Sequence, residues 1–174
     1  MKKVDDLDEI IKIITTIVQK SNLKKYRKAH SKYVANLAYI ISKNEGLLEK
    51  DAKLMAIAGL LHDYEKKKKE KIKKKTHAKR MAKNLKKFFL EKNIELESND
   101  IEIIKESIRY HSNKKSDYNK IKKSHNRQYI KVLQDADYNS KSNMLFNYIN
   151  LKKDIIINMT DDEIETIKRK NNKI

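Results

Sequence analysis

Length, composition and charge exclude several classes of protein. The chain has 174 residues and no cysteine, so disulfides and thiolate metal sites are excluded, and any metal must bind nitrogen and oxygen ligands. With no proline and only two glycines, Gly46 and Gly59, few residues favour the tight turns of a strand-rich fold. We therefore expect an all-α fold in a single domain, since this length suits one hydrophobic core.

The formal net charge is +18, and such a field attracts polyanions. Only five of the 42 basic residues are arginine, and the chain is rich in lysine, asparagine and isoleucine, as a biased composition would also produce. Non-specific nucleic-acid contact is therefore one interpretation of the charge. A general preference for phosphorylated small molecules is the other.

No apolar run approaches the length of a membrane span. Acidic residues follow the opening Met-Lys-Lys almost at once, which does not suit the apolar region of a signal peptide. We expect a cytoplasmic protein without membrane association, as a monomer or a homodimer.

Apolar residues at helical spacing predict eight helices. Caps and glycines mark several of their ends, and the charged run Lys66–Lys75 predicts a loop that could lie over a site. The helices are expected at Leu7 to Val18, about Tyr26 to Asn44, about Glu49 to Asp63, from a cap at Thr76, from near Asn99 with Glu102 in a capping box, Asn126–Tyr138, Met144–Leu151, and from a cap at Thr160 with Glu163.

Four histidines and one aspartate fall on the apolar faces of these helices. They share the helical phase of buried-type residues such as Val34, Met55, Met81, Ile104 and Ile130, whereas most polar neighbours on the helix of His30 fall elsewhere. The five inward groups are His30, His62, His77, His111 and Asp137. His125 has no clear apolar phase and is expected at the surface.

Five buried polar groups facing one small interior need a shared partner, because an unpaired buried group costs a few kcal/mol. A metal provides that partner, whereas a single histidine of this kind would be interpreted as a hydrogen-bonded core residue. Asp63 follows His62 directly, and its carboxylate could bridge two ions. Two ions about 3.5–4 Å apart lower the pKa of a shared water and stabilise charge on a phosphoryl group, which is the chemistry of phosphoester hydrolysis.

The chain resembles the HD superfamily of metal-dependent phosphohydrolases, whose signature is a histidine, a His-Asp doublet and a distant aspartate. Here these match His30, His62-Asp63 and Asp137, in the segments HSKYVANLA, AGLLHDYEK and DADY. Asp137 is preferred to Asp135 because Asp135 shares a helical phase with polar residues and because the family uses the second acid. The resemblance implies a helical bundle over residues 23–155 with the metal site in its core, flanked by a packing helix (1–22) and a C-terminal helix and tail (156–174).

Within the superfamily, the branch with two further histidines binds two metals, and His77 and His111 stand in the matching places. The sequence motifs LLHDY, IRYH and ADY are similar to those of bacterial HD-type symmetrical bis(5'-nucleosyl)-tetraphosphatases, which cleave diadenosine tetraphosphate to two ADP. In that branch an arginine at the position of Arg27 would contact phosphate, since a guanidinium binds phosphate oxygens bidentately.

The resemblance implies a division of roles. His30, His62, Asp63 and Asp137 would hold one ion, and Asp63, His77 and His111 the second, with an activated hydroxide as nucleophile and with His62 and Asp63 as the catalytic pair. Iron or manganese is expected, with nickel, cobalt, magnesium or zinc as alternatives.

Further contacts are predicted around the metals. Lys66 and Arg109 are candidate substrate contacts, although Arg109 reaches the site only if its helix ends there. Tyr64 and Tyr138 flank the ligands and suit either packing or stacking on a base. Two alternatives to hydrolysis remain: an HD-type di-iron oxygenase acting on a small molecule, and a non-catalytic basic module that binds nucleic acid.

Overall fold

A computed structural model describes residues 3–66, 76–112, 114–142 and 155–173 of the chain. Within these ranges the secondary structure is helical apart from one isolated bridge between Val4 and Ile94, which confirms the all-α prediction. The predicted helix Met144–Leu151 and the run after Lys66 lie outside the described residues. The described helices are α1 (Leu7–Lys20), α2 (Lys25–Asn44), α3 (Glu49–Leu61), α4 (Thr76–Glu91), α5 (Ser98–Tyr110), α6 (Tyr118–Lys123), α7 (Arg127–Asn139) and α8 (Asp161–Asn171).

Helices α1 and α8 form where local signals predict them. Asp6 caps α1 by accepting a hydrogen bond from the backbone N–H of Glu9 at 2.9 Å, and the apolar stripe of this helix is buried. Thr160 caps α8 in a complete capping box with Glu163, as predicted. Both helices therefore start at side chains that satisfy backbone N–H groups that would otherwise have no partner.

Two helices, α2 and α3, form the centre of the fold. Helix α3 also packs against α1, α5 and α7, and α2 against α7 and α8, while α4 pairs with α5. Gly59 allows α2 and α3 to approach closely, because a Cβ at this position would lie 2.6 Å from Cα of Ala35. This contact brings the end of α3 against the first half of α2.

Helix α2 is buried on more sides than its sequence predicts. Lys32, Asn36 and Ser42 fall on faces other than that of His30, as expected, but they are buried as well. Asn36 donates to the carbonyl of Ile157 at 2.8 Å and accepts from the backbone N–H of the same residue at 2.9 Å. The reason is that the C-terminal segment covers the side of α2 that a shorter chain would leave exposed.

Two other predictions of helix ends are corrected. Helix α5 begins at Ser98 with Glu97 in the capping position and no side-chain cap, while Glu102 accepts a hydrogen bond from Lys105; the predicted capping box is therefore wrong. Helix α3 ends at Leu61, so that His62 and Asp63 lie in the turn that follows. The short helix α6 was not predicted, because it buries no residue and carries no apolar stripe.

Two further predictions concern the start of α4 and membrane spans. Helix α4 is described from Thr76 onward, and the predicted cap by that side chain lies outside the description. Among the described residues, no helix combines the length and the apolar composition that crossing a bilayer requires.

Candidate metal centre

Six polar side chains from five parts of the fold converge at one end of the bundle. Each histidine and Asp63 is at most 5% exposed, and Asp137 is half-buried. His30 comes from the first half of α2, His62 and Asp63 from the turn after α3, His77 from the first turn of α4, His111 from the residue that ends α5, and Asp137 from the last turn of α7.

Asp63 lies between two groups of histidines. Its Oδ1 is 3.1 Å from Nε2 of His77, and its Oδ2 is 3.5 Å from Nε2 of His62 and 3.9 Å from Nε2 of His30. The two oxygens of one carboxylate thus face different imidazoles, which is the arrangement that a bridging ligand needs. Asp137 contacts two of the same imidazoles: its Oδ1 lies 3.2 Å from Nε2 of His30 and 3.6 Å from Nε2 of His62.

The six side chains form three overlapping trios whose ligand atoms all lie within 4.8 Å of one another. The first two trios share Asp63, and the third shares His62 with the first and His111 with the second. They are His30, His62 and Asp63; Asp63, His77 and His111; and His62, His111 and Asp137. The residues that the sequence singles out as metal ligands are therefore brought together.

Backbone carbonyls orient two of the imidazoles. Nδ1 of His62 lies 2.7 Å from the carbonyl of Gly59, and Nδ1 of His111 lies 2.6 Å from that of Ile108. When Nδ1 donates to a carbonyl, the lone pair of Nε2 is free for a metal. A carbonyl at Nδ1 is a usual partner of a metal-binding histidine. Each of these rings is thus held with Nε2 directed into the cluster.

Buried ring nitrogens without a partner test whether a metal fits. Nε2 of His62, Nε2 of His77 and Nδ1 of His30 are buried and have no partner in hydrogen-bonding geometry. A buried polar atom without a partner costs free energy. Nε2 of His62 and Nε2 of His77 lie 3.5 and 3.1 Å from the oxygens of Asp63. Imidazole nitrogen with carboxylate oxygen suits iron, manganese, cobalt, nickel or zinc, so the donor set fits a transition metal.

Mutual charges set the protonation of the cluster. Burial opposes the charged form of His62, but Asp63 and Asp137 raise its pKa to about 9. Burial also opposes ionisation of the two carboxylates, yet the charge of His62 and the close imidazoles around them hold the pKa of Asp63 and of Asp137 well below the usual range.

Two of the other imidazoles, those of His30 and His111, remain neutral near pH 7. Burial lowers the pKa of His30, and burial together with the charge of His62 lowers that of His111 to about 4. Ionised carboxylates and neutral imidazoles are the forms that bind metal, and the proton on His62 is the one that a metal would displace.

Two of the three predicted substrate contacts lie at the cluster. Nη1 of Arg27 donates to Oδ2 of Asp63 at 3.1 Å, and Nζ of Lys66 lies 3.8 Å from the same oxygen. Both side chains are about 30% exposed, so they lie where the cluster meets solvent.

Arg109 is placed elsewhere. It is exposed, its guanidinium lies 5.4 Å from the ring centre of Tyr110, and it lines an open depression of about 400 Å³ between α4 and α5. In the described part of the chain it forms no hydrogen bond or ion pair with the six clustered side chains. Although α5 ends one residue later at Tyr110, Arg109 still has helical backbone and stays on the exposed face of the helix.

One aromatic residue at the site was missed. The ring of Tyr26 stacks on that of His30 at 5.6 Å with an interplanar angle of 29°. Burial raises the pKa of Tyr26, and the charges of Asp137 and Asp63 add to this effect. Tyr26 precedes His30 by four residues, and this spacing on one helix face was the available signal.

The remaining candidates lie away from the cluster. Tyr64 packs edge-on against Phe88 at 5.5 Å, Tyr138 is 75% exposed, and His125 is exposed as predicted. All four histidines other than His125 belong to the cluster.

Comparison with known proteins agrees with this geometry. The family model of the HD domain matches residues 27–141, more than half of the chain, and this segment includes all six clustered side chains. No curated protein and no solved structure matches the chain. HD domains form a family of metal-dependent hydrolases that act on phosphorylated compounds. The chain therefore belongs to the HD domain family, and it is a metal-dependent hydrolase.

Proposed function

We propose that this protein hydrolyses a phosphoanhydride or phosphoester bond of a nucleotide, with two divalent metal ions, and that diadenosine tetraphosphate, cleaved to two ADP, is its first candidate substrate. The observation that carries the proposal is the position of Asp63, whose two oxygens face separate histidines at 3.1 and 3.5 Å. A carboxylate between two sets of ligands supports two ions rather than one.

The division of ligands follows the first two trios, and Asp137 joins the first because its Oδ1 lies 3.2 Å from Nε2 of His30. His30, His62, Asp63 and Asp137 would hold one ion, and Asp63, His77 and His111 the other. When bound, two such ions lower the pKa of a shared water and neutralise charge on the phosphoryl oxygens. Iron or manganese suits the mixed nitrogen and oxygen donors.

The chain's own cations would bind the substrate. Arg27 has five N–H donors in a fixed fork and uses one of them on Asp63, so others can reach phosphate oxygens at the solvent side of the cluster. Lys66 supplies a second positive charge at the same edge. The net charge of +18 favours capture of an anionic substrate from solution.

The test is hydrolysis of a nucleotide panel that includes diadenosine tetraphosphate. The protein is reconstituted separately with iron, manganese, nickel and magnesium, and bound metal is measured in each sample. His62→Ala should lose activity because it removes a central ligand. His125→Ala is the matched control, since it makes the same change at an exposed histidine and should retain activity.

Each outcome decides between substrates or functions. Formation of ADP alone from diadenosine tetraphosphate supports the tetraphosphatase assignment, whereas cleavage of other nucleotides keeps the nucleotide hydrolase and discards that substrate. Absence of turnover with every nucleotide, despite bound metal, would overturn the proposal. Oxygen consumption by the iron form would then indicate the oxygenase alternative, and salt-dependent nucleic-acid binding without turnover would indicate the basic module.

A further inference from the structure

Helix α8 lies outside residues 27–141 but is fixed beside the candidate metal centre. Near its start, Glu163 accepts a hydrogen bond from Lys32 of α2 at 2.6 Å, in a buried ion pair. Near its end, Asn171 donates to the carbonyl of Ser140 at 3.0 Å, three residues after Asp137. Both ends of α8 are therefore attached to helices that carry site residues.

This attachment directs Lys170 toward the site. Its Nζ lies 5.7 Å from the ring centre of Tyr26, and that ring in turn stacks on His30 at 5.6 Å. The ammonium is consequently no more than about 11 Å from the centre of the His30 imidazole. A chain of several phosphates can span such a distance, whereas a single phosphate held at the metals cannot.

The environment of Lys170 differs from that of the other two cations at the edge. Arg27 and Lys66 both face Oδ2 of Asp63, which partly neutralises them. Lys170 is exposed and pairs with no carboxylate of the described residues. Its Nζ lies over the ring of Tyr26, which the guanidinium of Arg27 also approaches at 5.5 Å. A cation–π contact orients an ammonium while leaving its charge available to an anion.

We propose that Lys170, held over Tyr26, is an outer phosphate subsite that binds an anionic group of the substrate beyond the phosphorus attacked at the metal centre. The inference rests on the proposed function, because it assumes that the substrate's reacting phosphate lies at the six-residue cluster. It assigns the substrate to compounds with several linked phosphates, and it gives a substrate-binding role to a helix outside the matched segment.

The experiment measures binding, so that it does not depend on turnover. Manganese-loaded protein at a fixed free manganese concentration is titrated with ATP, with inorganic tripolyphosphate and with inorganic phosphate. Lys170→Gln is compared with Lys168→Gln, which removes the same charge from the same helix but at a residue paired with Glu165. Lys170→Arg tests whether a cation alone restores binding.

Loss of one charge-assisted contact should weaken ATP binding about 5–10-fold in Lys170→Gln while inorganic phosphate binding changes less than about twofold. Lys168→Gln and Lys170→Arg should stay close to the unmodified protein. An equal loss with tripolyphosphate would support a subsite that recognises phosphate, whereas a loss confined to ATP would overturn it, because tripolyphosphate carries the same linked phosphates.

Several results would overturn the subsite. They are unchanged ATP affinity in Lys170→Gln, equal weakening of ATP and inorganic phosphate, the same loss in Lys168→Gln, or no binding of either multiphosphate to the unmodified protein. A Lys170-dependent affinity in a protein that hydrolyses no nucleotide would overturn only the proposed function. Normal hydrolysis with an unchanged affinity in Lys170→Gln would overturn only the outer subsite.

Discussion

At Asp63, one carboxylate oxygen is shared by several positive or proton-bearing groups. Oδ2 lies 3.1 Å from Arg27, 3.5 Å from His62 and 3.8 Å from Lys66. A carboxylate oxygen offers only about two lone pairs. We therefore expect metal binding to compete with Arg27 and Lys66 for Asp63, which would release both cations toward phosphate.

Two aspartates near the end of α7 differ sharply in their surroundings, and this difference makes a direct test of the ligand assignment. Oδ1 of Asp137 lies 3.2 Å from Nε2 of His30, whereas Asp135 lies outside the three trios. Asp137→Asn should weaken metal affinity by at least about 100-fold, since even partners that only orient ligands cost 10–100-fold. Competition with a metal chelator measures this affinity.

Asp135→Asn is the control for this change, because it alters the same functional group two residues away. It should leave metal affinity within about twofold of the unmodified protein, since surface substitutions rarely propagate. A larger loss in Asp135→Asn than in Asp137→Asn would contradict the choice of the second acid.

Elements with local signals were predictable, and elements that depend on tertiary contacts were not. The stripe of α1 and the capping box of α8 are encoded within a few residues, and both appear as predicted. Helix α6 has no buried residue and therefore no periodic signal. The start of α5 lies close to the predicted position, but its capping box was wrong because the polar cluster at residues 97–100 offers several equivalent capping residues.

The same distinction between local signals and tertiary contacts applies to the site. Helical phase predicted that His30, His77 and Asp137 face inward, because phase is a property of one helix. Their distances from one another depend on how the helices pack, and the resemblance supplied that convergence. Lys170 was not predictable, because only the fold of the C-terminal segment over α2 brings it to Tyr26.

The contact between α8 and α2 depends on a buried ion pair, and its removal should be costly. Glu163→Ala leaves the ammonium of Lys32 buried without its partner and removes half of the capping box. We expect the free energy of unfolding to fall by about 3–5 kcal/mol, as for other buried pairs that lose one member. Urea denaturation followed by circular dichroism measures the change.

An exposed pair on the same helix provides the control. Glu165 lies 3.8 Å from Lys168, and Glu165→Ala should change the free energy of unfolding by less than about 1 kcal/mol. The double variant Lys32→Met with Glu163→Leu should recover part of the loss, because it removes both charges together. Equal effects of Glu163→Ala and Glu165→Ala would show that the buried pair contributes nothing beyond an exposed one.

On the scale of the whole molecule, the cluster couples folding to metal binding. Its ligands come from α2, α4, α5, α7 and the turn after α3, so the site exists only when these elements are assembled. The division into 1–22, 23–155 and 156–174 remains a prediction, although α1 packs on α3 and α8 on α2 in the same core. A ligand that binds this assembled state stabilises it against unfolding.

Removal of metal should therefore lower the melting temperature. At a metal concentration 100 times the dissociation constant, binding contributes about 2.7 kcal/mol, which corresponds to roughly 5–10 °C for a chain of this size. Differential scanning calorimetry of the metal-loaded and chelator-treated protein measures the shift. His62→Ala should lose a large part of the shift, while His125→Ala should keep all of it, because only the first removes a ligand that belongs to two of the three trios. A metal-dependent shift that survives in His62→Ala but disappears in His125→Ala would place the stabilising ion at the surface and not in the cluster.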